Sequence, residues 1–166
     1  MQKPFIICEP EKCTGCQLCE FACSSRCGGY NPLQSRIRLV RLEPVSIMAL
    51  ACRLCDTPTC MHACPRSCIT ISDTTGIMRV DKDVCNGCGW CVEACEFGAV
   101  TINHKERIVS MCNLCEDRDN GPRCVEICVY GALSLATPAD IASRRRREIV
   151  RSGILPEIDT TEESQT

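Results

Sequence analysis

The residues best suited to chemistry in this 166-residue chain are its 19 cysteines, about one residue in nine. Sixteen of them form four motifs, and each motif begins with a CxxC pair and ends with a CxxxC step. This is the spacing that binds [4Fe–4S] clusters through thiolates. Cysteines on one tight loop can cap three irons of a cluster, so the fourth thiolate must come from elsewhere. The sequence therefore predicts four [4Fe–4S] clusters.

The two inner motifs form one contiguous unit over residues 52–100. They are joined by CITISDTTGIMRVDKD, which predicts a strand, a polar turn at Gly76 and a second strand. In a two-cluster unit, the last cysteine of each run binds the cluster of the other run. The outer motifs, in residues 5–30 and 108–136, are then left to pair with each other. Chain order favours this pairing and does not exclude others.

Crossed ligation divides the sixteen cysteines into four sets, which we call the first to fourth quartets. They are Cys13, Cys16, Cys19 and Cys128; Cys23, Cys112, Cys115 and Cys124; Cys52, Cys55, Cys60 and Cys95; and Cys64, Cys85, Cys88 and Cys91.

The expected fold is α+β, with two ferredoxin-like 2[4Fe–4S] units in one compact domain of residues 1–136, the second unit split around the first. A strand at Phe5–Cys8, a hairpin around Asn103–Arg107 and a strand a few residues after the last cysteine of the second, third and fourth motifs are predicted. The insert of residues 24–44 alternates apolar residues with arginines from Ser35 onward, which predicts a half-buried strand with a basic outer face. That face is either solvated or a docking surface for an acidic partner.

Residues 137–155 are predicted to form a C-terminal helix. Thr137 is a suitable N-cap and Pro138 a suitable first residue, while Gly153 and Pro156 mark the end. Five arginines and few apolar residues leave no core-facing stripe, so the helix is either solvated or packed on a partner subunit. Residues 156–166 are predicted to be a flexible acidic tail.

Composition excludes several classes of protein. The N-terminus lacks the apolar region of a signal peptide, which argues against a secreted disulfide scaffold and leads us to expect a cytoplasmic protein. No membrane span is expected, because the longest apolar stretch, Ile47–Cys52, is too short. The formal net charge is −2, and four clusters bound through thiolates would bring it to about −10, so nucleic acid is not an expected partner.

With these motifs, the chain resembles the four-cluster ferredoxin-like electron-transfer subunits of molybdenum- and tungsten-pterin oxidoreductases. Relatives of that family serve formate dehydrogenases, hydrogenases and carbon monoxide dehydrogenase. The resemblance covers about residues 5–136 and includes the eight-residue loop inside the fourth motif. In that family the outer motifs pair with each other, as do the inner ones, which agrees with the quartets.

The chain departs from the family pattern at two kinds of position. Glu96 and Val129 stand where proline commonly follows the last cysteine of the third and fourth motifs. The resemblance therefore does not predict the reduction potentials of the two clusters near these residues. Three cysteines are spare. Cys8 and Cys68 are expected to be small buried hydrophobic residues, and Cys27, in a Gly-rich turn, is the spare cysteine for which a redox or ligand role stays open.

The expected function is electron relay. A catalytic subunit, with a tungsten- or molybdenum-pterin aldehyde or aromatic-acid oxidoreductase as first candidate, would exchange electrons with a ferredoxin, flavin subunit or hydrogenase. The chain itself is not expected to be an enzyme, because His62 and His104 have no evident nucleophile partner. Three alternatives remain: a structural zinc protein, an accessory ferredoxin for metalloenzyme maturation, and self-association of the wire through the Arg-rich helix and acidic tail.

Overall fold

A computed structural model describes residues 3–42, 46–103 and 105–154. This part of the chain contains eight short strands and five α-helices. The strands are β1 (Phe5–Cys8), β2 (Ile37–Leu42), β3 (Ser46–Ala51), β4 (Ile69–Ile71), β5 (Met78–Val80), β6 (Thr101–Asn103), β7 (Ile108–Ser110) and β8 (Leu133–Ala136), and the helices are α1 (Leu18–Arg26), α2 (Thr59–His62), α3 (Trp90–Glu93), α4 (Arg123–Glu126) and α5 (Pro138–Ile154). The mixed α+β class is confirmed.

The strands pair as four antiparallel two-stranded sheets within the described residues. Three are local hairpins: β2–β3, β4–β5 and β6–β7. The fourth joins distant parts of the chain, because β1 pairs with β8 in the register Phe5↔Ala136 to Cys8↔Leu133. The predicted strands at Phe5–Cys8 and after the last cysteines are confirmed, as are both inner hairpins. Strand β3 was not predicted.

Each cysteine motif adopts nearly the same local structure. The residue before the second cysteine has a left-handed backbone in all four motifs: Gly15, Leu54, Gly87 and Leu114, with φ between 50° and 71°. The third cysteine is then the second residue of a short helix, α1, α2, α3 or α4. The CxxC loop and the following helix turn are therefore a structural repeat.

The core contains mostly cysteines and aliphatic side chains, with Phe5 as its buried aromatic ring among the described residues. Ile37 and Ile69 are 1% and 2% exposed, and they share one buried cluster with seven cysteines. Helix α1 packs against α4, and α2 packs against α3. These contacts bring the first motif to the fourth and the second motif to the third.

The insert strand β2 differs in part from its prediction. Ile37 is buried and Leu39 half-buried, but Leu42 is 68% exposed, so the alternation fails at the end of the strand. The arginines are held by the chain itself: Arg38 donates to the carbonyls of Pro32 and Leu33 at 2.6 Å, and Arg41 donates to the Gly15 carbonyl at 2.7 Å. The arginine side chains of the expected basic face are thus largely held by hydrogen bonds within the chain.

Helix α5 begins as predicted, with the Asp140 N–H donating to Thr137 Oγ1 at 3.2 Å. No residue of α5 whose side chain is described is fully buried, which agrees with the missing apolar stripe. Arg144 pairs with Glu9 at 2.9 Å and ties the helix to the N-terminal segment. His104 and the predicted tail of residues 156–166 lie outside the described residues. No helix among those described is long and apolar enough to cross a membrane.

Replacing Ile37 with alanine should destabilise the protein, because the side chain is 1% exposed and its loss leaves a cavity. We expect a cost of about 2–5 kcal/mol in unfolding free energy for Ile37→Ala. The matched control is Ile149→Ala in α5, where the side chain is 56% exposed and the change should stay within about 0.5 kcal/mol. Anaerobic thermal unfolding followed by circular dichroism compares the two, and equal melting temperatures would contradict the core assignment.

Candidate metal centres

Three of the four predicted quartets surround separate cavities. The second quartet lines the largest, of about 230 Å³, and its four cysteines are joined there by Cys27. The third quartet lines a cavity of about 60 Å³. The first quartet lines one of about 20 Å³. The two smaller cavities admit a cluster only if thiol side chains turn outward from the centre.

The thiols of the fourth quartet are also neighbours. Burial is the main cause that raises the pKa of Cys91 to about 11, and the charges of Cys64, Cys60 and Cys88 add to it. Burial also raises the pKa of Cys68, to which Cys64 and Cys85 contribute, and Cys68 contacts Cys64. Three predicted quartets thus line cavities of their own, and in the fourth Cys91 interacts electrostatically with Cys64 and Cys88.

The thiols around these cavities are the kind of donor that iron–sulfur clusters take. Within the part of the chain that the structure describes, no three His, Cys, Asp or Glu side chains converge closely enough to hold one metal ion. Tetrahedral zinc requires four such ligands at one point. Four thiols spread around a cavity instead match an iron–sulfur cluster, in which each iron takes its own thiolate.

Backbone N–H groups point at several of these sulfurs. Arg36 N–H donates to Cys23 Sγ at 3.3 Å, Ala99 N–H to Cys95 Sγ at 3.4 Å, and Leu114 N–H to Cys112 Sγ at 3.4 Å. The left-handed backbone at Leu114 turns its amide toward the first cysteine of the motif. Such donors stabilise negative charge on the sulfurs and tune the potential of a bound cluster.

Burial raises the pKa of several thiols of the first and second quartets in the metal-free chain. It raises the pKa of both Cys19 and Cys112 to about 12, and it raises the pKa of Cys124 further. Iron must therefore displace protons from these thiols, as expected when metal binding is coupled to thiol ionisation.

Arginine side chains stand beside the second and third quartets. Arg36 lines the cavity of the second quartet and donates to Asn113 at 2.8 Å. Arg53 lines the cavity of the third quartet, and its guanidinium lies 4.8 Å from the Phe5 ring centre and 5.2 Å from that of Phe97. These cations offset part of the negative charge that cluster binding adds. Sequence spacing alone did not single them out.

The long loop of the fourth motif is closed as expected. Arg118 donates to the Gly121 carbonyl at 3.0 Å and pairs with Glu126 at 2.7 Å. The turn at residues 120–122 leads directly into α4, which carries Cys124. A salt bridge between Arg26 and Asp117 fastens the same loop to α1.

Each spare cysteine interacts with a quartet cysteine. Cys68 is buried as expected, but Cys8 is only partly buried; its Sγ accepts the Ala49 N–H at 3.4 Å, and the charge of Cys13 contributes to its raised pKa, of which burial is the main cause. Cys27 hydrogen-bonds with Cys23, and this contact is the main cause that lowers the pKa of Cys23. His62 is exposed at the end of α2, as a surface residue would be.

Comparison with known proteins identifies the family. Residues 44–137, more than half of the chain, match the family described as 4Fe-4S dicluster domain. The chain belongs to the 4Fe-4S dicluster domain family. The aliphatic sulfonate oxidoreductase polyferredoxin-like subunit of Pyrococcus furiosus is 36% identical over 128 residues, which are 76% of this chain and 72% of the relative. A putative electron transport protein of Escherichia coli, YsaA, is 34% identical over 154 residues, covering 87% and 96%.

A solved structure supports the fold of this dicluster protein. The active site complex BamBC of benzoyl coenzyme A reductase contains a chain with a TM-score of 0.50, 23% identity and 93% coverage of both chains. At that identity the likeness concerns the fold alone. Together with the family match and the named electron-transport relatives, these findings identify an iron–sulfur electron-transfer protein that is not itself a catalytic enzyme.

The loop of the third motif should tolerate no side chain at Gly87. A Cβ atom there would lie 2.0 Å from the Arg107 carbonyl oxygen, whereas at Gly89 it would meet nothing within 4 Å. Both glycines have positive φ, so Gly89→Ala controls for backbone strain alone. We expect Gly87→Ala to lower the iron content of the anaerobically purified protein by up to about four atoms per chain, and Gly89→Ala to lower it less. Equal iron contents would contradict the close loop contact.

Proposed function

We propose that this protein is a four-cluster electron wire, in which the four quartets hold one [4Fe–4S] cluster each. Bound clusters of this kind supply one-electron exchange, so four in series would provide a path through the chain. The observation that supports the proposal is that twelve of the sixteen cysteines, which form three of the predicted quartets, line three separate cavities.

Buried thiols of all four quartets lie in one core cluster, and the electrostatic influence of neighbouring thiols within it supports a linear order of the quartets. Burial raises the pKa of Cys124, and thiolate charges that include Cys19 add to it, so the second quartet adjoins the first. Burial likewise raises the pKa of Cys112, and charge at Cys52 contributes, so the second quartet also adjoins the third.

The third quartet adjoins the fourth by the same reasoning, since Cys60 acts electrostatically on Cys91. The order of the path is then first, second, third and fourth quartet. Cys16 in the first quartet and Cys88 in the fourth are exposed, whereas no cysteine of the two middle quartets is. Electrons would therefore enter and leave at the Cys16 and Cys88 ends.

The proposal includes a two-cluster unit built from two distant segments of the chain. The β1–β8 pairing and the packing of α1 on α4 support the joining of residues 5–30 with 108–136, while α2 on α3 supports the inner unit of residues 52–100. In this division, residues 1–136 form the cluster domain and residues 137–155 an appended helix.

The proposed partner is a catalytic oxidoreductase subunit, because a named relative is the polyferredoxin-like subunit of an oxidoreductase. A tungsten- or molybdenum-pterin subunit is our first candidate, with a ferredoxin, flavin subunit or hydrogenase at the other end. The second candidate function is an accessory ferredoxin in metalloenzyme maturation, a role that a relative named as an electron transport protein, YsaA, would also fit. The cytoplasm is the proposed compartment.

Anaerobic copurification tests the partner. Protein purified from its native source should carry about sixteen irons per chain and bring down a stoichiometric catalytic subunit containing tungsten or molybdenum. The same iron content without a catalytic subunit would favour the maturation role, and zinc in place of iron would overturn the wire.

Single-ligand removal tests the quartets. Cys88→Ala should reduce the cluster content by one, to about twelve irons per chain, because a [4Fe–4S] cluster requires its fourth thiolate. Cys27→Ala is the matched control, since Cys27 is outside the quartets and should leave the iron content unchanged. Iron and sulfide analysis provides the measurement. Loss of iron from Cys27→Ala would show that Cys27 is a ligand and that the second quartet is wrongly assigned.

A further inference from the structure

The chain after the last cysteine follows one pattern in three motifs. The third residue along has a left-handed backbone, at Ser67, Gly98 and Gly131, with φ of 50°, 58° and 60°. Its N–H donates to the carbonyl of the last cysteine at 3.2, 3.1 and 3.0 Å. The three motifs therefore share one turn, which leads into β4, β6 and β8.

The residue after this turn occupies an equivalent buried position in each motif. It is Cys68 in the second motif, Ala99 in the third and Ala132 in the fourth, and each is 3% exposed. Two of the three motifs therefore have alanine at this position, and one has cysteine. Packing alone does not require the sulfur of Cys68.

The Cys68 sulfur contacts the fourth quartet directly. Its Sγ lies 3.3 Å from Cys64 Sγ. Either thiol of the Cys68–Cys64 pair could donate in the metal-free chain. A thiolate that binds iron has no proton, so with Cys64 as ligand only Cys68 can be the donor.

We propose that Cys68 is a positioning residue that donates an S–H···S hydrogen bond to the iron ligand Cys64 and thereby raises the reduction potential of the fourth-quartet cluster. The inference rests on the proposed cluster function. Reduction adds a negative charge to the site, and a donor to a ligand sulfur stabilises that charge. Since Cys88 of the same quartet is exposed, the contact favours an electron reaching this end of the path.

The third quartet provides the reverse experiment. Its last cysteine, Cys95, accepts the Ala99 N–H at 3.4 Å, but the alanine side chain has no further donor. Ala99→Cys should introduce the missing thiol beside Cys95 and raise the potential of a different cluster. Cys68→Ala removes the donor, and Cys68→Ser replaces it with a hydroxyl that still donates.

The test is an EPR-monitored redox titration of the whole anaerobic protein, with iron analysis of every variant. We expect unchanged iron content throughout, a lower potential for one cluster in Cys68→Ala, a potential restored toward that of the wild type in Cys68→Ser, and a higher potential for another cluster in Ala99→Cys.

Three results would overturn the inference. Full iron content with unmoved potentials in Cys68→Ala would show that the contact has no effect. An equal downward shift in Cys68→Ala and Cys68→Ser would assign the effect to packing. Loss of about four irons from Cys68→Ala would make Cys68 a ligand instead of a donor. Wild-type protein without iron would overturn the proposed function itself. Iron analysis of the wild type therefore distinguishes a failure of the proposed function from a failure of this inference.

Discussion

The structure depends on one constraint: four thiols from two separate segments must meet around each cavity. No single loop can supply all four, because three cysteines on one tight turn face the same side. The chain meets this constraint by pairing helices, α1 with α4 and α2 with α3, each of which carries the third cysteine of its motif. The β1–β8 sheet then holds the two ends of the domain against each other.

The same constraint explains the composition of the core. Thiols that face the cavities occupy much of the interior, and the buried cluster consists of cysteine, alanine and larger aliphatic residues. The surroundings of the quartets differ, with Arg53 beside the third and Cys68 beside the fourth. One repeated loop can therefore hold four sites with different electrostatic environments.

Much of this organisation could be predicted from cysteine spacing and turn residues. The strands after the second, third and fourth motifs, the two hairpins and the helix start at Thr137 follow from local patterns that the structure confirms. The left-handed backbone at Leu54 and Leu114 could not be foreseen, because leucine carries no signal for positive φ; only alignment with Gly15 and Gly87 would have suggested it.

Long-range polar contacts could not be predicted from the sequence either. The arginines of β2 alternate with apolar residues, which is typical of a solvated face, yet Arg38 and Arg41 bind carbonyl groups from other segments. Likewise, the spacing of Cys68 gave no reason to connect it with Cys64 beyond packing. Such contacts depend on how turns bring side chains together, which periodicity does not encode.

The most direct test of the central claim is the identity of the ligands in a crystal structure of the anaerobic protein, with iron located by anomalous scattering. The account predicts four iron clusters in a row, with Cys23 bound to the cluster held by Cys112, Cys115 and Cys124. Cys23 bound instead to the cluster of Cys13, Cys16 and Cys19 would contradict the crossed pairing on which the account depends.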